Sequence, residues 1–121
     1  MKYILTIVFC LIFIKANALE LTLNQGTIKP TPIAITNLYS ADSSLEKIGE
    51  NISSVVSDNL EISGLFISID KKAFIQSNES LSNQPRFEDW KIIKTQHLLS
   101  GKIENNGNKI SIEFRLFDVF A

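Results

Sequence analysis

The side chains that could carry out chemistry are few, and none belongs to a recognised catalytic or metal-binding pattern. His97 is the only histidine and has no cysteine or histidine companion, whereas a zinc site needs three or four such ligands. Glu88 and Asp89 are adjacent acids that could form an acid–base pair, but their place at the start of a predicted helix favours stabilisation of the helix dipole. Trp90 could stack on a ligand, although its helical spacing from other apolar residues favours a core position.

Nucleotide-binding and nucleophile motifs are absent from the sequence. No serine lies in a Gly-x-Ser-x-Gly turn, and neither a Gly-x-Gly-x-x-Gly nor a Walker sequence occurs. The single cysteine, Cys10, lies in the N-terminal leader described next, so a mature cysteine nucleophile is excluded. We therefore predict a chain that is not an enzyme, with no catalytic residue, no metal site and no cofactor.

Residues 1–18 have the layout of a secretory signal peptide. Lys2 gives a basic start, residues 3–14 form an apolar run, and Ala16-Asn17-Ala18 is a small-x-small cleavage site. A membrane anchor is the alternative, but the 12-residue run is shorter than the ~20 residues that span a bilayer. A lipoprotein signal at Cys10 fits less well, because bulky Val8 and Phe9 precede it. We predict cleavage after Ala18 and a location in the periplasm.

The mature chain, residues 19–121, has the size of one domain with one core. Loss of the two leader lysines leaves 10 of the 12 basic residues against 13 acidic ones, a net charge of −3. The basic residues form no stripe, so nucleic acid is not an expected partner. No second long apolar run follows, so we expect a soluble chain without stable membrane insertion.

Periodicity predicts a mixed sheet with flanking helices in the order β-β-α-β-α-β-β. Strands are predicted at 19–23 and 33–38, followed by an amphipathic helix of about 18 residues. That helix opens with a capping box, Ser43 and Glu46, and ends at Gly64. Its predicted buried face comprises Leu45, Ile48, Ile52, Val55, Val56 and Leu60.

The second half of the chain is predicted to end in a β-hairpin. We predict a strand at 65–69, a helical turn at 70–75, a surface loop at 76–84, a helix at 86–96 and strands at 97–104 and 110–116. The hairpin turn is Asn105-Asn106-Gly107-Asn108. Because apolar Phe117, Val119 and Phe120 stand at the chain's end, we expect an incomplete domain or a prematurely ended gene.

The landmarks, taken in order, resemble the N-terminal domain family of TolB from the Tol–Pal system. The resemblance covers essentially the whole mature chain. Its landmarks are residues 19–26, Pro32-Ile33-Ala34-Ile35, Ile48-Gly49, Asp58-Asn59-Leu60, Ser63-Gly64-Leu65-Phe66, Phe87-Glu88-Asp89-Trp90, Leu99-Ser100-Gly101-Lys102-Ile103 and Phe114-Arg115-Leu116-Phe117-Asp118.

This resemblance implies a fold like the anticodon-binding domain of class II tRNA synthetases for residues 19–121. It also implies a non-enzymatic periplasmic interaction module that supports outer-membrane integrity and invagination during cell division. The implied contact is with the C-terminal domain of TolA, by strand addition. The matching residues are Leu19, Glu20, Leu21, Thr22, Leu23, Asn24, Gln25 and Gly26. The same segment could instead complete the domain's own sheet.

In the family, Pal is held by a β-propeller that follows this domain, and the sequence lacks one. The resemblance therefore implies Pal binding only through a missing propeller. Two alternatives stay open at this point: a truncated remnant without function, and an unrelated secreted ligand-binding domain.

Overall fold

The computed structural model describes residues 26, 28–81 and 83–121, which form a four-stranded mixed sheet with helices on both faces. The strand order is β2-β1-β3-β4, with β1 parallel to β2 and β3 and with β4 antiparallel to β3. The elements are β1 (Thr31–Ile35), α1 (Glu46–Ile62), β2 (Phe66–Ser68), α2 (Asn78–Leu81), α3 (Phe87–Ile92), β3 (His97–Asn105) and β4 (Ile110–Asp118). The predicted fold class is confirmed, while the predicted strand at 19–23 lies outside the described residues. None of the helices in these ranges combines the length and apolarity needed to cross a bilayer.

The first described strand is shorter at its C-terminal end than the predicted 33–38. β1 ends at Ile35, because the backbone N–H of Leu38 turns away from the sheet and donates to the Ser53 hydroxyl at 3.1 Å. The chain rejoins the ladder at Tyr39, which forms an isolated parallel bridge with Lys102. The break in the strand is therefore held by a side chain of α1, which local periodicity does not reveal.

The long helix begins differently from the predicted capping box. Asp42, not Ser43, caps the 3₁₀ turn that leads into the helix, and its carboxylate accepts hydrogen bonds from the Ser44 N–H at 2.9 Å and the Ser44 hydroxyl at 2.7 Å. A 3₁₀ turn over Ser43–Leu45 precedes the α-helical residues, so Glu46 is already inside the helix. The predicted end is confirmed, since Gly64 has a left-handed φ of +72° just beyond the helix.

The predicted buried face of α1 is partly wrong. Ile48 and Val55 are 41% and 58% exposed, whereas Gly49 and Ser53 are buried. The reason is a close helix–sheet approach: a Cβ added at Gly49 would lie 2.8 Å from the carbonyl oxygen of Leu38. Small residues therefore form the contact line. The remaining predicted core positions are buried or half-buried: Leu45, Ile52, Val56 and Leu60.

The region predicted as a surface loop and a long second helix contains two short helices. α2 lies within the predicted loop and buries Leu81, so that loop assignment is wrong in part. α3 stops at Ile92, because Lys94 takes a left-handed φ of 59° and the N–H of Thr95 donates to the carbonyl of Trp90. The predicted helix at 86–96 is thus too long by about one turn.

The hairpin agrees with its prediction. The Asn106 N–H donates to the Lys109 carbonyl at 2.8 Å, and Gly107 has a φ of +78°. β3 and β4 then pair without a break from Asn105–Ile110 to His97–Asp118.

The sheet separates two apolar clusters. On one face, Ala34 and Leu98 pack with Leu81 of α2, Trp90 of α3 and Val119. On the other face, Ile103 packs with Leu38 and Leu45, with Ile52 of α1 beside them. The first cluster contains the aromatic edge contacts between Phe74 and Trp90 and between Phe87 and Phe117.

Candidate interaction site

The predicted partner-binding segment, Leu19 to Gly26, falls outside the described residues except at its last position. Gly26 is exposed, with open space around its α-carbon. Ile28, Lys29 and Pro30 are also exposed, and the chain joins the sheet at Thr31, whose N–H donates to the Leu65 carbonyl at 2.8 Å. The described residues next to the segment therefore lie on the surface at the N-terminal end of β1.

His97 has the environment of a structural residue at the start of β3. Its ring meets Phe66 edge-on with centroids 6.3 Å apart, and its buried Nδ1 has no hydrogen-bond partner. Asp118 is its cross-strand neighbour, but the Asp118 carboxylate accepts the backbone N–H groups of Phe120 and Ala121. Across residues 28–81 and 83–121, no three His, Cys, Asp or Glu side chains come together as a metal site.

The acidic pair and the tryptophan also have structural roles. Glu88 and Asp89 lie in the first turn of α3. Glu88 forms an ion pair with Lys91 at 2.9 Å, and Asp89 forms one with Arg86 at 2.8 Å. Trp90 is 1% exposed within the core, so it is not available as a stacking platform. The predicted core position of Trp90 is confirmed, and the two acids lie in the first helical turn as predicted.

A small cavity lies where α2 meets β3 and β4 and holds about 20 Å³, which is room for one water and too little for an organic ligand. Two depressions beside Tyr39 are larger, at about 540 and 600 Å³, and both open to solvent. These two volumes lie within the ~300–1,000 Å³ that ligand sites usually span.

Among the described residues, the two outer strands of the sheet differ in their protection. β2 is only three residues long, and the Glu61 carboxylate accepts the outward N–H of Ser68 at 3.1 Å. β4 is nine residues long, and eight of its residues are exposed. Short, capped edges resist pairing with other chains, whereas long exposed ones invite it.

A broad apolar surface borders the β4 edge. Because cross-strand partners share a face, Ile112 lies beside Ile103 and therefore on the side of the sheet covered by α1. The α1–β4 surface comprises Ile48 and Val55 of α1 with Ile110, Ile112, Phe114 and Leu116 of β4, each between 41% and 62% exposed. Alternation in the sequence correctly placed the β4 residues on one face, but alternation does not reveal whether anything covers that face.

Comparison with known proteins gives the family of this mixed α/β domain. The TolB amino-terminal domain family model matches residues 19–121, and the chain belongs to this family. It is 47% identical over 102 residues to the Tol-Pal system protein TolB of Paramagnetospirillum magneticum, covering 84% of the chain and 23% of that relative. It is 42% identical over 127 aligned positions to the Tol-Pal system protein TolB of Pelagibacter ubique, covering 97% of the chain and 28% of that relative.

The fold agrees with a solved member of the family. The crystal structure of TolB from Acinetobacter baumannii superposes with a TM-score of 0.58 at 23% identity, covering 76% of this chain and 20% of that one. The resemblance stated from the sequence is confirmed. The chain spans about a quarter of the length of the curated relatives it matches.

Proposed function

We propose that this chain is a non-enzymatic interaction module of the Tol–Pal envelope system that works in the periplasm. Membership of the TolB amino-terminal domain family over residues 19–121 is the observation that carries the proposal. The structural roles of His97, Glu88 and Asp89 support a function without catalysis. Through this system the chain would contribute to outer-membrane integrity and to invagination during cell division.

The proposed partner is the C-terminal domain of TolA, and the proposed contact is residues 19–26. An extended segment can add as a strand to a sheet edge of the partner, with main-chain hydrogen bonds giving affinity and alternate side chains giving specificity. Leu19, Leu21 and Leu23 would face one side of that strand. The exposure of Gly26 and Ile28 supports this proposal, because the described residues at and beside the end of the segment are accessible to a partner.

Pal is not proposed as a partner of residues 19–121. By resemblance, the grip on Pal belongs to the propeller of complete family members.

Isothermal titration calorimetry with the C-terminal TolA domain of the same organism tests the proposed contact. Deletion of residues 19–26 should abolish binding while leaving the circular-dichroism spectrum largely unchanged, which separates a lost contact from a lost fold. Leu21→Pro should weaken binding strongly because it removes a main-chain donor and a side chain, whereas Ile28→Asp, outside the segment, should bind normally. Equal binding by intact and deleted chains would place the site elsewhere.

Export and removal of the signal peptide can be measured independently of TolA binding. Mass spectrometry of the periplasmic chain should find Leu19 as its first residue, since the leader pattern predicts cleavage after Ala18. A membrane-retained chain that still begins at Met1 would contradict the proposed location.

A further inference from the structure

The turn between β3 and β4 contains Asn106, the one asparagine of the sequence that a glycine follows. Residues 105–109 are all exposed, and the Asn106 N–H donates to the Lys109 carbonyl at 2.8 Å, which closes the turn. Gly107 lies within the turn and has a left-handed φ of +78°. The turn therefore places an exposed side-chain amide directly before an exposed glycine backbone.

We propose that Asn106 is a site of spontaneous deamidation in which the backbone nitrogen of Gly107 is the nucleophile. That nitrogen attacks the side-chain carbonyl carbon of Asn106, so a new C–N bond forms and the bond to the side-chain nitrogen breaks. The departing nitrogen takes up the proton that the Gly107 nitrogen loses and leaves as ammonia, and a cyclic imide remains. Water then opens the imide at either of its carbonyl groups, which gives an aspartyl or an isoaspartyl residue.

The structure leaves the proposed nucleophile accessible. Within residues 28–81 and 83–121, the Gly107 N–H donates to no acceptor. Glycine has no Cβ to shield its nitrogen, and the space where a Cβ would stand at Gly107 is empty to 4 Å. Neither a hydrogen bond nor a neighbouring side chain therefore has to be displaced before the attack.

The two other asparagines of the same turn lack these conditions. For Asn105 the nucleophile would be the nitrogen of Asn106, whose N–H is engaged with the Lys109 carbonyl. For Asn108 it would be the nitrogen of Lys109, which has a long side chain on the adjacent α-carbon. The reaction is therefore expected at Asn106 and not at its neighbours.

The contact of Asn106 with Ser111 distinguishes the two products. The side-chain nitrogen of Asn106 donates to the Ser111 hydroxyl at 2.8 Å. An aspartyl product keeps this contact with donor and acceptor exchanged, because a hydroxyl can donate to a carboxylate oxygen. An isoaspartyl product instead adds a methylene group to the main chain of the turn, next to the first strand pair, Asn105 and Ile110. Only the isoaspartyl product should therefore weaken the hairpin.

Ageing of the full 121-residue chain tests the proposal. Samples are held at neutral and at mildly alkaline pH and are then cleaved after Lys102 and Lys109, which releases residues 103–109 with all three asparagines of the turn. Mass spectrometry with fragmentation should find a carboxyl group in place of the amide at Asn106. The reaction should be faster at the higher pH, because the attacking amide nitrogen must lose its proton. An isoaspartyl methyltransferase should label the isoaspartyl product only.

Gly107→Asp is the matched control for the nucleophile. Aspartate is among the few residues that adopt a left-handed φ readily, so the turn is kept while a side chain is added beside the attacking nitrogen. Loss of ammonia from Asn106 should then slow severalfold. Asn106→Asp supplies the aspartyl product directly and should unfold at the wild-type temperature, whereas the isoaspartyl fraction of an aged sample should unfold at a lower one.

Three outcomes overturn the assignment of the site: residues 103–109 that lose no ammonia, Asn105 or Asn108 reacting as fast as Asn106, or Gly107→Asp reacting as fast as wild type. An isoaspartyl fraction as stable as the wild-type chain would refute the predicted weakening of the hairpin. This test involves no TolA, so its result is independent of the proposed function.

Discussion

The side-chain oxygen of Gln76 accepts a hydrogen bond from the indole N–H of Trp90 at 3.1 Å, although the two residues stand on different elements. The same oxygen accepts the backbone N–H of Arg86 at 2.8 Å, and the Gln76 amide donates to the Gln84 carbonyl at 3.2 Å. Gln76 is 3% exposed, so one polar side chain joins the segment around α2 to α3 inside the core. A buried amide with three partners fixes a unique packing arrangement, because any shift leaves a polar group unpaired.

Replacement of Gln76 by Ala should therefore be costly. It leaves the buried indole N–H and the partly buried Arg86 N–H without an acceptor, at about 1–3 kcal/mol for a fully buried group, so we expect a loss of about 2–4 kcal/mol in the free energy of unfolding. Gln84→Ala removes an exposed side chain and should cost about 0.5 kcal/mol or less. Urea titrations followed by tryptophan fluorescence give both values. Similar losses for the two variants would contradict the assigned role of Gln76.

Two adjacent serines on α1 provide a second matched pair. The Ser53 hydroxyl accepts the Leu38 N–H at 3.1 Å and donates to the Gly49 carbonyl at 2.9 Å, and the residue is 1% exposed. Ser53→Ala should cost about 1–3 kcal/mol, because the Leu38 N–H loses its acceptor. Ser54→Ala, on the exposed side, should change stability by about 0.5 kcal/mol or less. Thermal unfolding that ranks Ser54 above Ser53 would show that α1 is rotated.

Replacement of Gly49 by alanine should destabilise the chain, although alanine is usually the better residue within a helix. Alanine normally stabilises a helix interior by ~1 kcal/mol relative to glycine. Here the added methyl would meet the Leu38 carbonyl oxygen at 2.8 Å and push α1 off the sheet, so Gly49→Ala should destabilise by about 1–3 kcal/mol. Asn51→Ala, on the exposed face, should stabilise slightly. Differential scanning calorimetry of the two variants should show shifts of opposite sign, and a stabilised Gly49→Ala chain would refute the close approach.

Asp42, which caps the 3₁₀ turn that leads into α1, should give the stability of the chain a defined pH dependence. The hydrogen bonds from the Ser44 hydroxyl and N–H lower the pKa of Asp42 below its ordinary value of 3.8. A carboxylate with a depressed pKa contributes stability above its unfolded pKa and loses that contribution as the pH falls through the folded value. Wild type should thus exceed Asp42→Ala in stability at neutral pH, and the gap should close below pH 3.8. Unfolding midpoints measured across this range check the effect, and a gap independent of pH would contradict it.

The sequence predicted those parts of the fold that depend on local information. The hairpin at Gly107, the helix end at Gly64 and the core position of Trp90 all follow from local turn chemistry and periodicity. The errors at the end of β1 and on the buried face of α1 have their physical origin in tertiary contacts. The buried stripe at Gly49 and Ser53 depends on how closely α1 approaches the sheet, which hydrophobic periodicity does not encode.

The candidate site could likewise be predicted only in part from the sequence. The partner-binding segment came from family resemblance, and it stays a prediction, because only Gly26 of it is described. Alternation placed Ile112 and Phe114 on one face, but their exposure depends on what packs against that face.

β3 lies between β4, its neighbour in sequence, and β1, which is distant in sequence, and this difference sets an order for folding. β3 meets β4 across a tight turn, but it meets the β1 end of the sheet through contacts such as Thr36 to Leu99, which are 63 residues apart. Closing a short loop is fast, whereas pairing distant segments must first overcome a large loss of chain entropy. We expect the C-terminal hairpin to form first and to serve as the template on which β1 later docks. Pulsed hydrogen exchange should then protect the amides of β4 before those of β1, and simultaneous protection would contradict this sequence of events.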